Sequence, residues 1–169
     1  IGNKITYNDQ SGNATAIGKA IVIDSKNDTK LFADRVDYNK KTGNGQATNN
    51  VVVEKEGGKN MLYAQEAIYN KLNGYVKTSG KVIIIDTEKK TVLKAGVVEF
   101  NENAHFMLAT VNPKLITLAE KDSLFLRADT MMSLRIRDEK KLAKININKN
   151  KKGETKCSKR NHMILKPRI

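Results

Sequence analysis

The residues able to do chemistry are few and scattered. Cys157 is the one cysteine of the 169-residue chain, and His105 and His162 are its two histidines. One thiol and two distant imidazoles do not make a usual four-ligand zinc cluster. A single cysteine also excludes an internal disulfide, which suits the cytosol and equally an exported protein that needs no staples. Gly57-Gly58-Lys59-Asn60 has the glycine and lysine of a phosphate loop. It lacks that loop's spacing and following helix, so it reads as a hairpin turn. The carboxylates are dispersed, with no pair set apart for general acid–base work. No catalytic residue, cofactor site or metal site is expected, and the chain does not read as an enzyme.

Charge is the other chemical resource. Lys and Arg number 31 against 18 acids, a net +13. Residues 138–169 hold eleven of the cations and three of the acids. This stretch reads as a basic, flexible C-terminal tail following a body of residues 1–137. Its anion-contact candidates are Lys140, Lys141, Lys151 and Lys152. Phosphates of a lipid or an anionic membrane surface are the partners that such a tail would meet. The tail has no aromatic residue to stack on a base, which argues against nucleic acid.

The elements that position these groups come from an internal repeat. Stepping by 31, Tyr7, Tyr38, Tyr69 and Phe100 share one column, and Leu31, Leu62 and Leu93 another. Ala33, Ala64 and Ala95 follow the leucines, and Gly12, Gly43 and Gly74 form a turn column that His105 continues. Ala16, Ala47, Thr78 and Ala109 share a further column, with Ala20, Val51 and Val82 after it. Leu126 and Ala128 repeat the Leu-x-Ala pair after a step of 33. Within each copy apolar residues alternate at period two, as on a pleated strand. The connections are rich in Asn, Asp and Gly. Leu31 and Ala33 have one parity and Val36 and Tyr38 the other, so the strand skips a residue at Asp34, and likewise at Gln65, Gly96 and Asp129. The expected fold is all-β: stacked copies of about 31 residues, two or three strands each, forming two facing sheets in a β-solenoid or partly open jelly roll. Apolar residues at 39% and aromatics at 5%, with no Trp, suffice for a core one sheet-gap thick. Mean hydropathy is −0.53, and no apolar run is long enough for a membrane-spanning helix. The chain begins at Ile1, so an export signal could have been removed or left out.

Several phrases carry a resemblance. Lys4-Ile-Thr-Tyr7, Leu31-Phe-Ala-Asp34 followed by Tyr38, and Leu62-Tyr-Ala64 followed by Tyr69 look like the OstA-like family. So do the blocks from Gly12 to Val22, Gly43 to Val53 and Gly74 to Ile84. The family includes the periplasmic lipopolysaccharide transport protein A and the N-terminal domain of LptD. Asp122-Ser-Leu-Phe-Leu-Arg-Ala-Asp-Thr130 is similar to stretches of larger OstA-like proteins of Bacteroidetes-type bacteria. The resemblance covers about residues 3–137. It implies a partly open β jelly roll with a greasy channel, working in the periplasm in outer-membrane biogenesis. It implies lipopolysaccharide binding and transport, with lipid chains inside and sugars outside, and head-to-tail strand pairing with other such domains or with further copies of the chain.

The lipid-groove candidates are Tyr7, Val22, Leu31, Val36, Tyr38, Val51, Val53, Leu62, Tyr69, Val82, Ile84, Leu93, Val98 and Phe100. The same columns would serve as plain core filler in any β-solenoid, and the Tyr and Phe column as a stabilising aromatic ladder. Two rivals to lipid transport stay open at this point. One is a structural solenoid scaffold or filament subunit, and the other is a polyanion binder acting through the tail.

Overall fold

The computed structural model describes residues 2–118, 123–134 and 162–166. Their strands form one antiparallel sheet. They are β1 (Lys4–Asn8), β2 (Asn13–Asp24), β3 (Thr29–Asn39), β4 (Asn44–Lys55), β5 (Asn60–Asn70), β6 (Tyr75–Asp86), β7 (Thr91–Asn101), β8 (Phe106–Thr110), β9 (Lys114–Leu118), β10 (Ser123–Arg127), β11 (Thr130–Leu134) and β12 (His162–Lys166). From β1 to β8 each strand pairs with the next in the chain. The 31-residue unit is therefore one hairpin, and copies join by antiparallel pairing. The expected two facing sheets are two arms of one sheet. Among the described residues no helix is long and apolar enough to cross a membrane.

The arms arise because every long strand bends near its middle. The pairing of β2 with β3 shifts register between Ile17 and Ala20, where Gly18 and Lys19 face the single residue Asp34. Equivalent shifts recur in the next four strand pairs. On alternate strands the corner is a pair of left-handed residues: Gly18 and Lys19, Asn49 and Asn50, Gly80 and Lys81, Val111 and Asn112. Each pair lies one 31-step from the last. On the intervening strands the corner is the single skipped residue, Asp34, Gln65 or Gly96, as expected. Past residue 105 the bends become breaks. β8 and β9 are one strand interrupted before Pro113, which has no N–H for a ladder, and β10 and β11 are another. The first arm runs β1 to β8, then β11 and β12, and the second runs from the far half of β2 through β7 to β9 and β10.

Turn chemistry holds both rims. Asn8, Asn39, Asn70 and Asn101 each accept a backbone N–H of the following turn through Oδ1, at 2.8–3.1 Å. Each such turn closes on a left-handed residue: Gly12, Gly43, Gly74 or His105, with φ 75°, 69°, 65° and 49°. Neighbouring turns also bond to one another. The N–H of Lys40, Lys71 and Glu102 donates to the carbonyl of Gly12, Gly43 and Gly74 at 2.8–2.9 Å. The opposite rim repeats the pattern with Glu56 to Asp28, Thr87 to Lys59 and Leu118 to Lys90. Gly57 and Gly58 lie in the turn joining β4 and β5, in a short 3-10 element with φ 63° and 90°. The core lies between the arms, along the corners: Ala20, Ala33, Val36, Ala47, Val51, Ala64, Val82, Ala95, Val98, Ala109 and Met131 are buried.

Candidate functional site: an apolar trough between the arms

Strand register sorts the inner side chains into rows that cross the sheet. On the first arm, Ala16, Val36, Ala47, Ala67, Thr78, Val98, Ala109 and Met131 pair in turn across eight strands. Nearer the rim on the same arm come Tyr7, Ala14, Tyr38, Gly45, Tyr69, Val76, Phe100 and Met107. On the second arm the row is Val22, Leu31, Val53, Leu62, Ile84, Leu93, Leu115 and Leu126. Period-two alternation puts all three rows on the face between the arms.

Burial falls from the corner outward. Val51, Val82 and Val98, close to the bend, are at most 1% exposed, and Val36 and Leu93 are also buried. The four valines fill the base, whereas Leu93 is buried within the row of Leu31, Leu62 and Ile84. Leu31, Val53, Leu62, Ile84, Tyr38, Tyr69 and Phe100 are half-buried. Val22 and Tyr7, on the first strands, are 43% and 53% exposed. The space between the arms is thus packed at its base and apolar but partly exposed toward both rims, and Lys55 of the second-arm rim pairs with Glu102 of the first-arm rim across the mouth at 3.7 Å. Thr78 is the buried polar side chain of the base, and its hydroxyl donates to the Val98 carbonyl at 3.2 Å. Among the described residues no buried side-chain nitrogen or oxygen lacks a partner. The trough lining therefore offers a ligand mainly dispersion and desolvation. Burial pushes the Tyr69 phenol above its ordinary value, helped by the negative field of Glu102.

Leu115, Leu126, Met107 and Met131 extend these rows and were not among the candidates. Leu115 stands one 31-step after Ile84 and Met107 one step after Val76, so the signal was present in the repeat. Leu126 continues the leucine column after the 33-residue step, and Met131 stands the same step after Val98. The tail candidates Lys140, Lys141, Lys151 and Lys152 lie outside the described residues, as does Cys157. His105 sits in a turn, and among the described residues no three His, Cys, Asp or Glu side chains gather as a metal site.

Both ends of the sheet carry edge strands. At one end these are β1 and the far half of β2, and at the other β10 and β12. β12 falls within the stretch 138–169 and pairs with β11, Thr130 opposite Lys166 through Leu134 opposite His162.

No protein-family model matches the chain, and no curated protein matches it. Among solved structures the fold is similar to that of LptH from Pseudomonas aeruginosa, described as the LptA-homologous periplasmic component of the conserved lipopolysaccharide transport device. The TM-score is 0.56 at 13% identity, with 75% of this chain and 91% of that one covered. The partly open jelly-roll fold is thereby shared.

Proposed function

We propose that the protein is a periplasmic component of lipopolysaccharide transport, holding the acyl chains of lipid A in the trough and passing them toward the outer membrane. The observation that carries this reading is the burial gradient: the inner rows stay apolar and partly exposed out to the rims, with the Lys55–Glu102 ion pair reaching across the mouth at 3.7 Å. An acyl chain of about a dozen carbons left in water costs roughly 10 kcal/mol, at about 0.8 kcal/mol per CH₂. Half-buried Leu, Ile, Val, Tyr and Phe rows lower that cost while the sugars and phosphates stay wet. The shared fold with LptH supports the reading. Residues 1–137 form the lipid-holding body, and the basic stretch that follows supplies phosphate contacts through Lys140, Lys141, Lys151 and Lys152. The edge strands at both ends pair head to tail with similar domains or further copies, extending the trough. The mechanism is passive and uses no cofactor and no catalysis.

The experiment is a titration of the whole chain with lipopolysaccharide and with its deacylated sugar-phosphate core. Saturable binding to the acylated form alone is expected, weakened at least tenfold by Leu62→Asp in a variant whose circular dichroism is unchanged. Equal binding to both ligands would refute the trough reading and favour a polyanion binder.

A further inference from the structure

The outer faces of the two arms differ. On the first arm the outer polar groups are matched: Arg35 donates to Asp37 at 2.6 and 2.9 Å, Lys77 faces Glu99 at 3.3 Å, and Gln46 and Ser79 donate to Glu66. On the second arm the outer row next to the corner pairs Phe32, Val52, Tyr63 and Ile83 in turn. The same row then continues as Lys94, Lys114 and Arg127. The row beyond it opens with Lys30 and Glu54, paired at 3.4 Å, and continues as Met61, Ile85, Val92, Ile116 and Phe125. All the described strands belong to one sheet, so among the described residues no second layer covers this face.

The repeat supplies an internal reference for the three cations. Lys94 occupies the column of Phe32 and Tyr63, and Lys114 that of Val52 and Ile83. Two apolar columns thus become cationic at directly opposed positions. Arg127 joins them after the 33-residue step, and Lys81 stands beside them at the corner. Lys81, Lys94, Lys114 and Asn112 line one shallow cleft of about 260 Å³, with Ile83 at its side. Like charges opposed across strands destabilise a sheet. None of the ion pairs among the described residues involves Lys81, Lys94 or Lys114. This lack of a counter-charge among the described residues is the feature to be explained.

We propose that this outer face docks the protein on an anionic phospholipid surface. The cation cluster meets lipid phosphates while Tyr63, Ile83 and Phe125 settle into the boundary between headgroups and acyl chains. Charge complementarity selects this occupant over a second copy. Two such faces apposed would press the cations either on one another or on the apolar half of the row. The site is on the opposite face of the sheet from the trough and does not rest on the transport reading.

The test is flotation of the full chain with phosphatidylcholine vesicles, with and without phosphatidylglycerol, at low ionic strength. Binding that needs phosphatidylglycerol is expected. Lys94→Gln with Lys114→Gln should weaken it about 25-fold, at about fivefold per cation near an anionic surface. Lys40→Gln with Lys71→Gln, which removes as much charge from exposed first-arm turns, should change it less than twofold. Tyr63→Ser should weaken binding at any salt concentration, whereas the defect of the lysine pair should fade as salt screens it. Equal losses from the two lysine pairs would overturn the proposal, because net charge alone would then be responsible. Absence of binding would overturn it too, as would a concentration-dependent dimer in sedimentation that Tyr63→Ser abolishes.

Discussion

Three valines of the inner face allow the trough to be tested by one substitution made at three depths. Val51 is 1% exposed at the corner, Val53 is half-buried one inner position further along β4, and Val22 is 43% exposed on β2. Each Val→Ala change removes the same two methyl groups. At Val51 the lost transfer energy is about 1.6 kcal/mol, at about 0.8 kcal/mol per carbon. A dry void of about 50 Å³ would add roughly 1.2 kcal/mol. Val51→Ala should therefore cost about 2–3 kcal/mol, less whatever the corner recovers by collapse. At Val22 roughly half of the transfer energy is available and there is no void to form, so the loss should stay below about 1 kcal/mol. Val53→Ala should fall between. Urea denaturation of the three variants measures the order, and lipid titration should show the reverse one: little effect at Val51, the larger losses at Val53 and Val22. Equal stability losses at the three sites would mean that the arms are closed throughout, and the space between them would then be core rather than trough.

Four further outcomes follow from the rims and corners. Gly80→Ala should destabilise by at least about 1–2 kcal/mol in urea, the cost of a left-handed L-residue. There the φ is +80° and an added Cβ would stand 2.7 Å from the Gln65 Cβ. His105→Gly should stabilise by up to about 1 kcal/mol, because His105 holds φ 49° in a column of glycines; a loss in the same assay would show that the imidazole has a role of its own. Asn70→Ala removes acceptors for Leu72 and Asn73 N–H and the bond to Asn44. It should cost about 1–2 kcal/mol and speed amide exchange in that turn and in the adjoining one. The Arg35 guanidinium hydrogen-bonded to Asp37, with the Thr15 hydroxyl, holds its carboxyl below the usual carboxylate value against the opposing effect of burial. A depressed carboxylate adds stability at pH values above its unfolded pKa, and the gain is lost as pH falls through the folded one. Asp37→Asn should therefore flatten the acid limb of stability against pH while leaving its slope at neutral pH unchanged.

Much of this fold was legible because the repeat is nearly free of gaps. The single-residue corner was readable since skipping one position flips parity, and Leu31 and Ala33 against Val36 and Tyr38 betray it. The other corner was not readable, for the converse reason. Gly18 with Lys19, Asn49 with Asn50 and Gly80 with Lys81 each insert two residues. Ala16 and Ala20, Ala47 and Val51, and Thr78 and Val82 therefore keep the same parity across the bend. That hidden bend is why one sheet with two arms read as two facing sheets. The groove candidates were found as columns, but the sequence carried no sign of how depth divides them. Val36, Val51, Val82 and Val98 at the base look like Val22 or Leu31 in a column, and register with the bend separates them. The cationic break in the outer row was invisible for a related reason. Lys94, Lys114 and Arg127 are far apart in sequence and meet through pairing across β7, β9 and β10.

The turn-to-turn hydrogen bonds have a consequence for length. Each hairpin's asparagine-capped turn bonds to the next at Gly12, Gly43 and Gly74, and the corner pattern recurs with the same 31-residue step. A hairpin inserted between two others would therefore meet, on both sides, the pairing that its neighbours already use. Two strands at about 4.8 Å each lengthen the trough by roughly 10 Å, with rim, bend and floor unchanged. The molecule is in effect graduated like a ruler, and its reach can change by whole divisions without any redesign of what lies between the marks.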